Sequence, residues 1–66
     1  MLQGYELWLV DREGRRAFRP AAARTVTEVV GEARKLLAAD ATLCEVAIDR
    51  AGEHLMCIQN APQQQN

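Results

Sequence analysis

The distribution of apolar residues along the chain predicts four short strands. The first covers residues 5–10, Tyr-Glu-Leu-Trp-Leu-Val, where aromatic and aliphatic side chains are bounded by turn residues. A return strand is expected over residues 15–19 and should end at Pro20, which has no backbone N–H to donate. Two further apolar segments, residues 43–49 and 53–59, predict a second pair of strands.

Each pair of strands is joined by the sequence Asp-Arg-x-Gly, which occurs in both halves of the chain. An aspartate at the start of such a turn accepts backbone N–H groups, and the glycine supplies the left-handed conformation that closes a three-residue hairpin loop. We therefore expect two antiparallel hairpins, with Asp11 opposite Arg15 in the first and Asp49 opposite Glu53 in the second.

The segment between the hairpins has the period of an amphipathic helix. Thr25 and Glu28 form a Thr-x-x-Glu capping box, in which each side chain accepts a hydrogen bond from the backbone N–H of the other residue. Apolar residues then recur every three or four positions, which is typical of the buried face of a helix. They are Val26, Val29, Val30, Ala33, Leu36 and Leu37. The helix should end near Ala39 and Asp40.

The order of elements is therefore ββαββ. A helix with one apolar face must pack on a sheet, so the sequence predicts a two-layer α+β fold: a four-stranded sheet of two antiparallel hairpins with one helix on one face. By analogy with β-grasp proteins, the strand order would be 2-1-4-3. Residues 1–60 should form this single domain, and the polar residues 61–66 should form a disordered tail.

The pattern of the first strand leaves open which of its faces packs on the helix. In the second hairpin, the expected register gives one face that is mainly apolar. It consists of Cys44, Val46, Ile48, His54, Met56 and Ile58. Matching the two Asp-Arg-x-Gly turns places Trp8, Val10 and Phe18 on this core face. The alternative buries the odd-numbered apolar residues of the first strand instead.

Either choice leaves large apolar side chains on the sheet face that has no helix, where polar residues are usual. Contiguous exposed apolar surface commonly marks a protein interface, and a domain of this size has little stability to spare. We therefore predict a homodimer, or docking of another protein, through this open face. The residues expected there are Tyr5, Leu7, Leu9, Ala17, Leu55 and Cys57, with the leucines at the centre.

The charges leave a second function open. The net charge is −1, with eight basic and nine acidic side chains, and neither favours nor excludes nucleic acid. Arginine is nevertheless concentrated in the first hairpin, around Phe18, at Arg12, Arg15, Arg16 and Arg19. A two-stranded ribbon of this kind can bind nucleic acid. Arginines also protect an exposed edge strand from unwanted pairing, which is the interpretation we prefer.

No pattern of catalytic or metal-binding residues stands out. His54 is the only histidine, and the two cysteines, Cys44 and Cys57, do not form a Cys-x-x-Cys motif or have partners for zinc. Asp11 and Asp49 are explained as turn residues. The sequence therefore predicts a protein that is not an enzyme and has no cofactor, metal or small-molecule ligand.

Localisation is inferred from two observations. The first residues lack the charged-then-apolar pattern of a secretory signal, and no apolar run approaches the roughly 20 residues of a membrane span. We therefore expect a cytoplasmic protein with two free thiols, Cys44 and Cys57, on opposite faces of the second hairpin.

Three segments carry a resemblance to other proteins. They are the hairpin with Asp-Arg-x-Gly, the helix end Leu-Leu-Ala-Ala-Asp, and the stretch Val-Ala-Ile-Asp-Arg-Ala-Gly-Glu-His-Leu. Over residues 4–59 the chain resembles small uncharacterised bacterial ββαββ proteins, a domain of unknown function. The resemblance implies the fold and no activity.

Overall fold

A computed structural model describes residues 1–60 and shows one four-stranded antiparallel sheet with a helix on one face. The strands are β1 (Gln3–Asp11), β2 (Arg16–Ala23), β3 (Leu43–Arg50) and β4 (Glu53–Gln59), and the helix is α1 (Val26–Ala39). The predicted ββαββ order and α+β class are confirmed. The predicted disordered tail, residues 61–66, lies outside the described residues.

The strands lie in the order β2-β1-β3-β4, so the expected order 2-1-4-3 is wrong. β3 pairs with β1 in the antiparallel sense and occupies the position expected for β4. The reason lies in the composition of β3, whose buried side chains are Leu43, Val46, Ala47 and Ile48. A strand this apolar is best shielded between two neighbours, whereas the more exposed β4 can form an edge of the sheet.

The first hairpin has the predicted register. The Asp11 N–H donates to the Arg15 carbonyl at 2.9 Å, and Gly14 adopts the positive φ of 85° that the three-residue loop requires. The Asp11 carboxylate accepts the N–H groups of Glu13 and Arg15, at 2.8 and 2.9 Å. The bond from the Arg15 N–H is the main reason that the pKa of Asp11 lies below its usual value.

β2 continues past Pro20 to Ala23, so the predicted end of this strand is wrong. Pro20 pairs with Glu6 of β1 without ending the ladder. β2 is an edge strand, in which alternate N–H groups point away from the sheet, and a proline is tolerated at such positions. The extension brings Ala21 and Ala23 against the core.

The turn of the second hairpin is one residue shorter than the turn of the first, although both contain Asp-Arg-x-Gly. Arg50 pairs with Glu53 and leaves a two-residue loop, in which Ala51 and Gly52 have φ values of 53° and 81°. Two positive φ values are typical of a two-residue hairpin turn. The expected pairing of Asp49 with Glu53 is therefore wrong, because Ala51 adopts a backbone conformation that non-glycine residues seldom take.

A β-bulge next to this turn changes the pairing again. The register shifts between Ile48 and Asp49, so that Ile48 pairs with Met56 and Asp49 pairs with His54. The prediction that Ile48 faces His54 is wrong. His54 leaves the core face and lies exposed beside Asp49.

The shorter second turn explains why matching the two turns predicted the wrong buried face for β1. Arg50, and not Asp49, is the structural equivalent of Asp11, so a correct alignment of the two hairpins differs by one residue. In a strand, a shift of one residue exchanges the two faces. Tyr5 and Leu7 are 2% and 0% exposed and pack in the core beneath α1.

The assignment of Trp8, Val10 and Phe18 to the core is accordingly wrong, and the alternative is correct. Trp8 and Val10 alternate along β1 with the side chains of the core, and Phe18 pairs with Trp8 on the same face. Phe18 is 52% exposed. The core is completed from α1 by Val29, Ala33 and Leu37 and from β3 by Leu43, Val46 and Ile48.

α1 begins at the predicted cap. The Glu28 N–H donates to Thr25 Oγ1 at 3.2 Å. The Glu28 carboxylate accepts from the Arg24 N–H at 2.8 Å, one residue before the position expected for a capping box. At the other end, the Asp40 N–H donates to the Leu36 carbonyl and closes the last turn.

The cap gives a prediction about stability. Thr25→Ala should lower the free energy of unfolding by about 1 kcal/mol, because the Glu28 N–H loses its acceptor. Thr27→Ala, on the exposed side of the first turn, should leave it unchanged or raise it slightly, since alanine is the better helix former. Urea denaturation measures both. A larger loss for Thr27→Ala would place the start of the helix elsewhere.

Candidate interaction surface on the open sheet face

The sheet face opposite α1 carries a central row of four side chains, one from each strand. The pairings Trp8–Phe18, Trp8–Ala47 and Ala47–Cys57 align them across the sheet. They alternate along their strands with the side chains that contact α1 and so point away from it. We refer to Phe18, Trp8, Ala47 and Cys57, in the order β2-β1-β3-β4, as the open-face row.

The aromatic half of the open-face row is in contact with solvent. The rings of Trp8 and Phe18 lie with centroids 5.2 Å apart and planes tilted by 55°. The Arg16 guanidinium carbon is 5.2 Å from the centroid of the Trp8 ring, within the range of a cation–π contact. Phe18 is 52% exposed and Trp8 is half-buried, so the pair forms apolar surface that the fold itself does not cover.

Most of the side chains that border the open-face row on either side are polar. On one side, Val10 lies between Arg16 and Glu45. On the other, Glu6 lies between Pro20 and Asp49. An apolar centre with a polar margin is the usual anatomy of a protein interface.

A chain of polar contacts runs beside Cys57. His54 Nδ1 is 2.9 Å from the Asp49 carboxylate, and His54 Nε2 is 3.9 Å from Cys57 Sγ. Cys57 Sγ donates to Glu45 Oε2 at 3.2 Å. The order Asp-His-Cys is the order of groups in thiol-based catalytic triads.

Sequence reasoning missed these contacts because it placed His54 on the core face. The bulge that moves His54 across has no signal in the apolar pattern, since Leu55 and Met56 are both apolar and both half-buried. The histidine is also five residues from Asp49, a spacing that only the short turn converts into a cross-strand pair.

The electrostatics around Cys57 favour the neutral thiol. The hydrogen bond to the Glu45 carboxylate is the main cause that raises the pKa of Cys57, and partial desolvation and the nearby negative charges act in the same direction. The same bond lowers the pKa of Glu45. A nucleophilic cysteine needs a lowered pKa, so this arrangement does not activate Cys57.

The remaining thiol lies elsewhere. Cys44 Sγ donates to the Asp11 carbonyl at 3.5 Å, at the bulge between β1 and β3. Both cysteines are free. Within residues 1–60, no three His, Cys, Asp or Glu side chains are grouped so that they could hold a metal ion.

Of the four arginines of the alternative nucleic-acid surface, Arg12 and Arg15 lie beside the first turn, whereas Arg16 and Arg19 lie on opposite faces of β2. Arg12 Nε donates to the Ala41 carbonyl at 3.1 Å, beside the loop that follows α1. Arg15 forms ion pairs with two carboxylates of its own turn. Arg16 lies on the open face, whereas Arg19, three residues later in β2, lies on the other. The structure therefore does not bring them together on one surface.

The six residues expected at the interface divide between the two faces. Cys57 lies on the open face, whereas Ala17 is exposed beside Leu9 on the helix side. The other four belong to the core or pack against it: Tyr5, Leu7, Leu9 and Leu55. Their expected place at the centre of an open face is wrong, because β1 turns its odd-numbered side chains towards α1.

Comparison with known proteins adds no identification. The chain matches no protein-family model, no curated protein and no solved structure. The resemblance to small bacterial ββαββ proteins stays a prediction. In the part of the chain that the structure describes, no helix has the length and apolar character needed to cross a membrane.

The contact between Cys57 and Glu45 gives a prediction about thiol reactivity. Glu45→Gln removes the negative charge that stabilises the protonated thiol, so the pKa of Cys57 should fall. Alkylation by iodoacetamide, followed by mass spectrometry across a pH series, should then reach its half-maximal rate at lower pH. Cys44 provides an internal reference in the same molecule.

A matched control is Glu53→Gln, which removes the same charge from an exposed position at the start of β4. It should leave the alkylation profile of Cys57 nearly unchanged. An equal shift in both variants would show that net charge, and not the hydrogen bond to Glu45, sets the pKa of this thiol.

Proposed function

We propose that this protein is a small non-enzymatic interaction module that self-associates through its open sheet face. The observation that carries the proposal is the aromatic half of the open-face row. Trp8 and Phe18 lie together on the sheet face opposite α1, and Phe18 is more than half exposed. Burying apolar surface yields about 25 cal/mol per Å², so a partner that covers this pair is favoured.

The composition of the surface supports an interface. Aromatic residues and arginine are enriched where proteins bind one another and often supply most of the binding energy. Here Trp8, Phe18 and Arg16 form one contiguous group. The core beneath α1 is built from other side chains, so these residues are not needed to complete it.

A second copy of the chain is the simplest partner, because no other protein has to be assumed. Twofold dimers are the commonest oligomers, because one patch serves both subunits. A chain of 66 residues has a small core, and covering its open face adds to a thin stability margin. The raised pKa of Cys57 argues against thiol catalysis, and free cysteines are typical of a reducing, cytoplasmic compartment.

Self-association is tested by Phe18→Glu. The variant puts a charge into the apolar row and should weaken association more than tenfold, because an unpaired carboxylate is costly to bury. Sedimentation equilibrium over a concentration series should show a monomer–dimer equilibrium for the natural chain and a monomer for the variant. Circular dichroism should show that α1 is retained.

The control is Ala17→Glu, which changes the charge equally at the neighbouring exposed position on the helix side of β2. It should associate like the natural chain. A natural chain that stays monomeric at millimolar concentration contradicts the proposal, and so does equal association of the Phe18 and Ala17 variants.

A further inference from the structure

The open-face row is unequal in size from one side of the sheet to the other. Its β2–β1 half holds the large side chains Phe18 and Trp8, and its β3–β4 half holds the small side chains Ala47 and Cys57. Ala47 is only 9% exposed and lies between Trp8 of β1 and Cys57 of β4. The open face therefore has a raised half and a recessed half.

From this asymmetry, and on the basis of the self-association proposed above, we infer that two copies pack face to face about a twofold axis parallel to the strands, between β1 and β3. The recessed half of each copy then receives the aromatic half of the other. Trp8 lies over the partner subunit's Ala47, and Phe18 lies over the partner subunit's Cys57.

Rotation about such an axis exchanges the β2 edge of the sheet with the β4 edge. Positions along the strands do not change, so each row of one copy faces the same row of the other. Each strand of one copy meets the strand that lies equally far on the other side of the axis, so β1 faces β3 and β2 faces β4. Large side chains are placed on small ones in every contact of the row. Close packing of this kind is what protein interfaces and interiors share.

The other face-to-face twofold arrangement has its axis across the strands. It places each strand over the same strand of the other copy. Trp8 then meets the partner subunit's Trp8, and Ala47 meets the partner subunit's Ala47. The aromatic pairs would hold the sheets apart at one side and leave a void at the other. Voids at a packed surface lose contacts on both of their walls, so the size pattern favours the axis parallel to the strands.

The charges beside the row do not distinguish the two axes, and the choice rests on the size pattern. With the parallel axis, Arg16 would lie over the partner subunit's Gln59 and next to the partner subunit's Glu45. Arg16 and this carboxylate would form one ion pair in each half of the dimer. The crossed axis places Arg16 over the partner subunit's Pro20, next to the partner subunit's Glu6, and sets Glu45 against the partner subunit's Asp49. The parallel axis likewise brings Glu6 towards the partner subunit's Asp49, so each arrangement has one ion pair and one contact between carboxylates in each half.

The size of the face sets the expected strength. Strands about 4.8 Å apart and residues about 3.3 Å apart along each strand give a face of roughly 20 by 20 Å. This area, about 400 Å², is half of the roughly 800 Å² per partner that a standard specific interface buries, so the association should be weak. The dimer should therefore be reversible and depend on concentration.

Enlarging the side chain at position 47 distinguishes the two axes. Ala47→Phe puts a large ring where Trp8 of the partner subunit must lie, and should weaken association at least tenfold. Ala22→Phe adds the same ring to the same face, but at the far end of β2, outside the open-face row, and should leave association within a factor of about three of the natural chain. With the crossed axis, Ala47→Phe would fill the void and strengthen the dimer.

A measurement on the natural sequence keeps the test independent of any change in folding. Isotope-labelled and unlabelled chains are mixed, and isotope-filtered NOEs report only contacts between copies. The parallel axis predicts NOEs from the Ala47 methyl and Cys57 β-protons to the aromatic protons of the partner's Trp8 and the partner's Phe18. NOEs between the two Trp8 rings would overturn it and leave self-association intact. A natural chain that is monomeric by sedimentation would instead overturn both proposals.

Discussion

β1 is apolar on both faces, and in the described part of the chain a single helix is available to cover one of them. Tyr5, Leu7 and Leu9 occupy one side of this strand, and Trp8 and Val10 occupy the other. A sheet covered on one side normally alternates apolar and polar residues. The constraint that only one face can be buried beneath α1 decides where the core lies and which aromatic side chains are left in solvent.

Burial of the odd-numbered side of β1 follows from its neighbours. β3 aligns Leu7 with Ile48 and the partly buried Leu9 with Val46, so the aliphatic side chains of the two central strands form one continuous layer. α1 then needs only its own apolar face, with Val29, Ala33 and Leu37, to close the core. The same register aligns Trp8 with Ala47 on the other side, and this pairing creates the uneven open face.

The elements themselves were predictable from local patterns. The Thr25 cap and the three-to-four-residue period mark α1, and the loop containing Gly14 fixes the first hairpin. Each of these signals depends on residues within a few positions of one another, and local rules suffice for them. The strand order required comparing the burial needs of β3 and β4, which the analogy with β-grasp proteins did not do.

The buried face of β1 was predicted wrongly, because the two Asp-Arg-x-Gly turns were taken to be equivalent and differ in one backbone angle. Ala51 adopts a positive φ and shortens the loop by one residue, which exchanges the faces relative to the first hairpin. An alanine at that position gives no signal of its own, whereas Gly52 suits either turn. The error moved the expected interface into the core and hid the contact between His54 and Asp49. The expectation of an uncovered apolar face did not depend on this choice. Burial of either side of β1 leaves apolar side chains on the sheet face that has no helix.

The open face contains a natural probe of the central claim. Trp8 is the only tryptophan in the chain, and it lies in the middle of the open-face row. Its fluorescence therefore reports directly on whether this face is covered. As protein concentration increases through the range in which the mass doubles, Trp8 emission should shift to shorter wavelength and its quenching by acrylamide should decrease, because the partner covers the ring. Emission and quenching that stay constant while the mass doubles would show that the chains associate through another surface, and would contradict self-association through the open face.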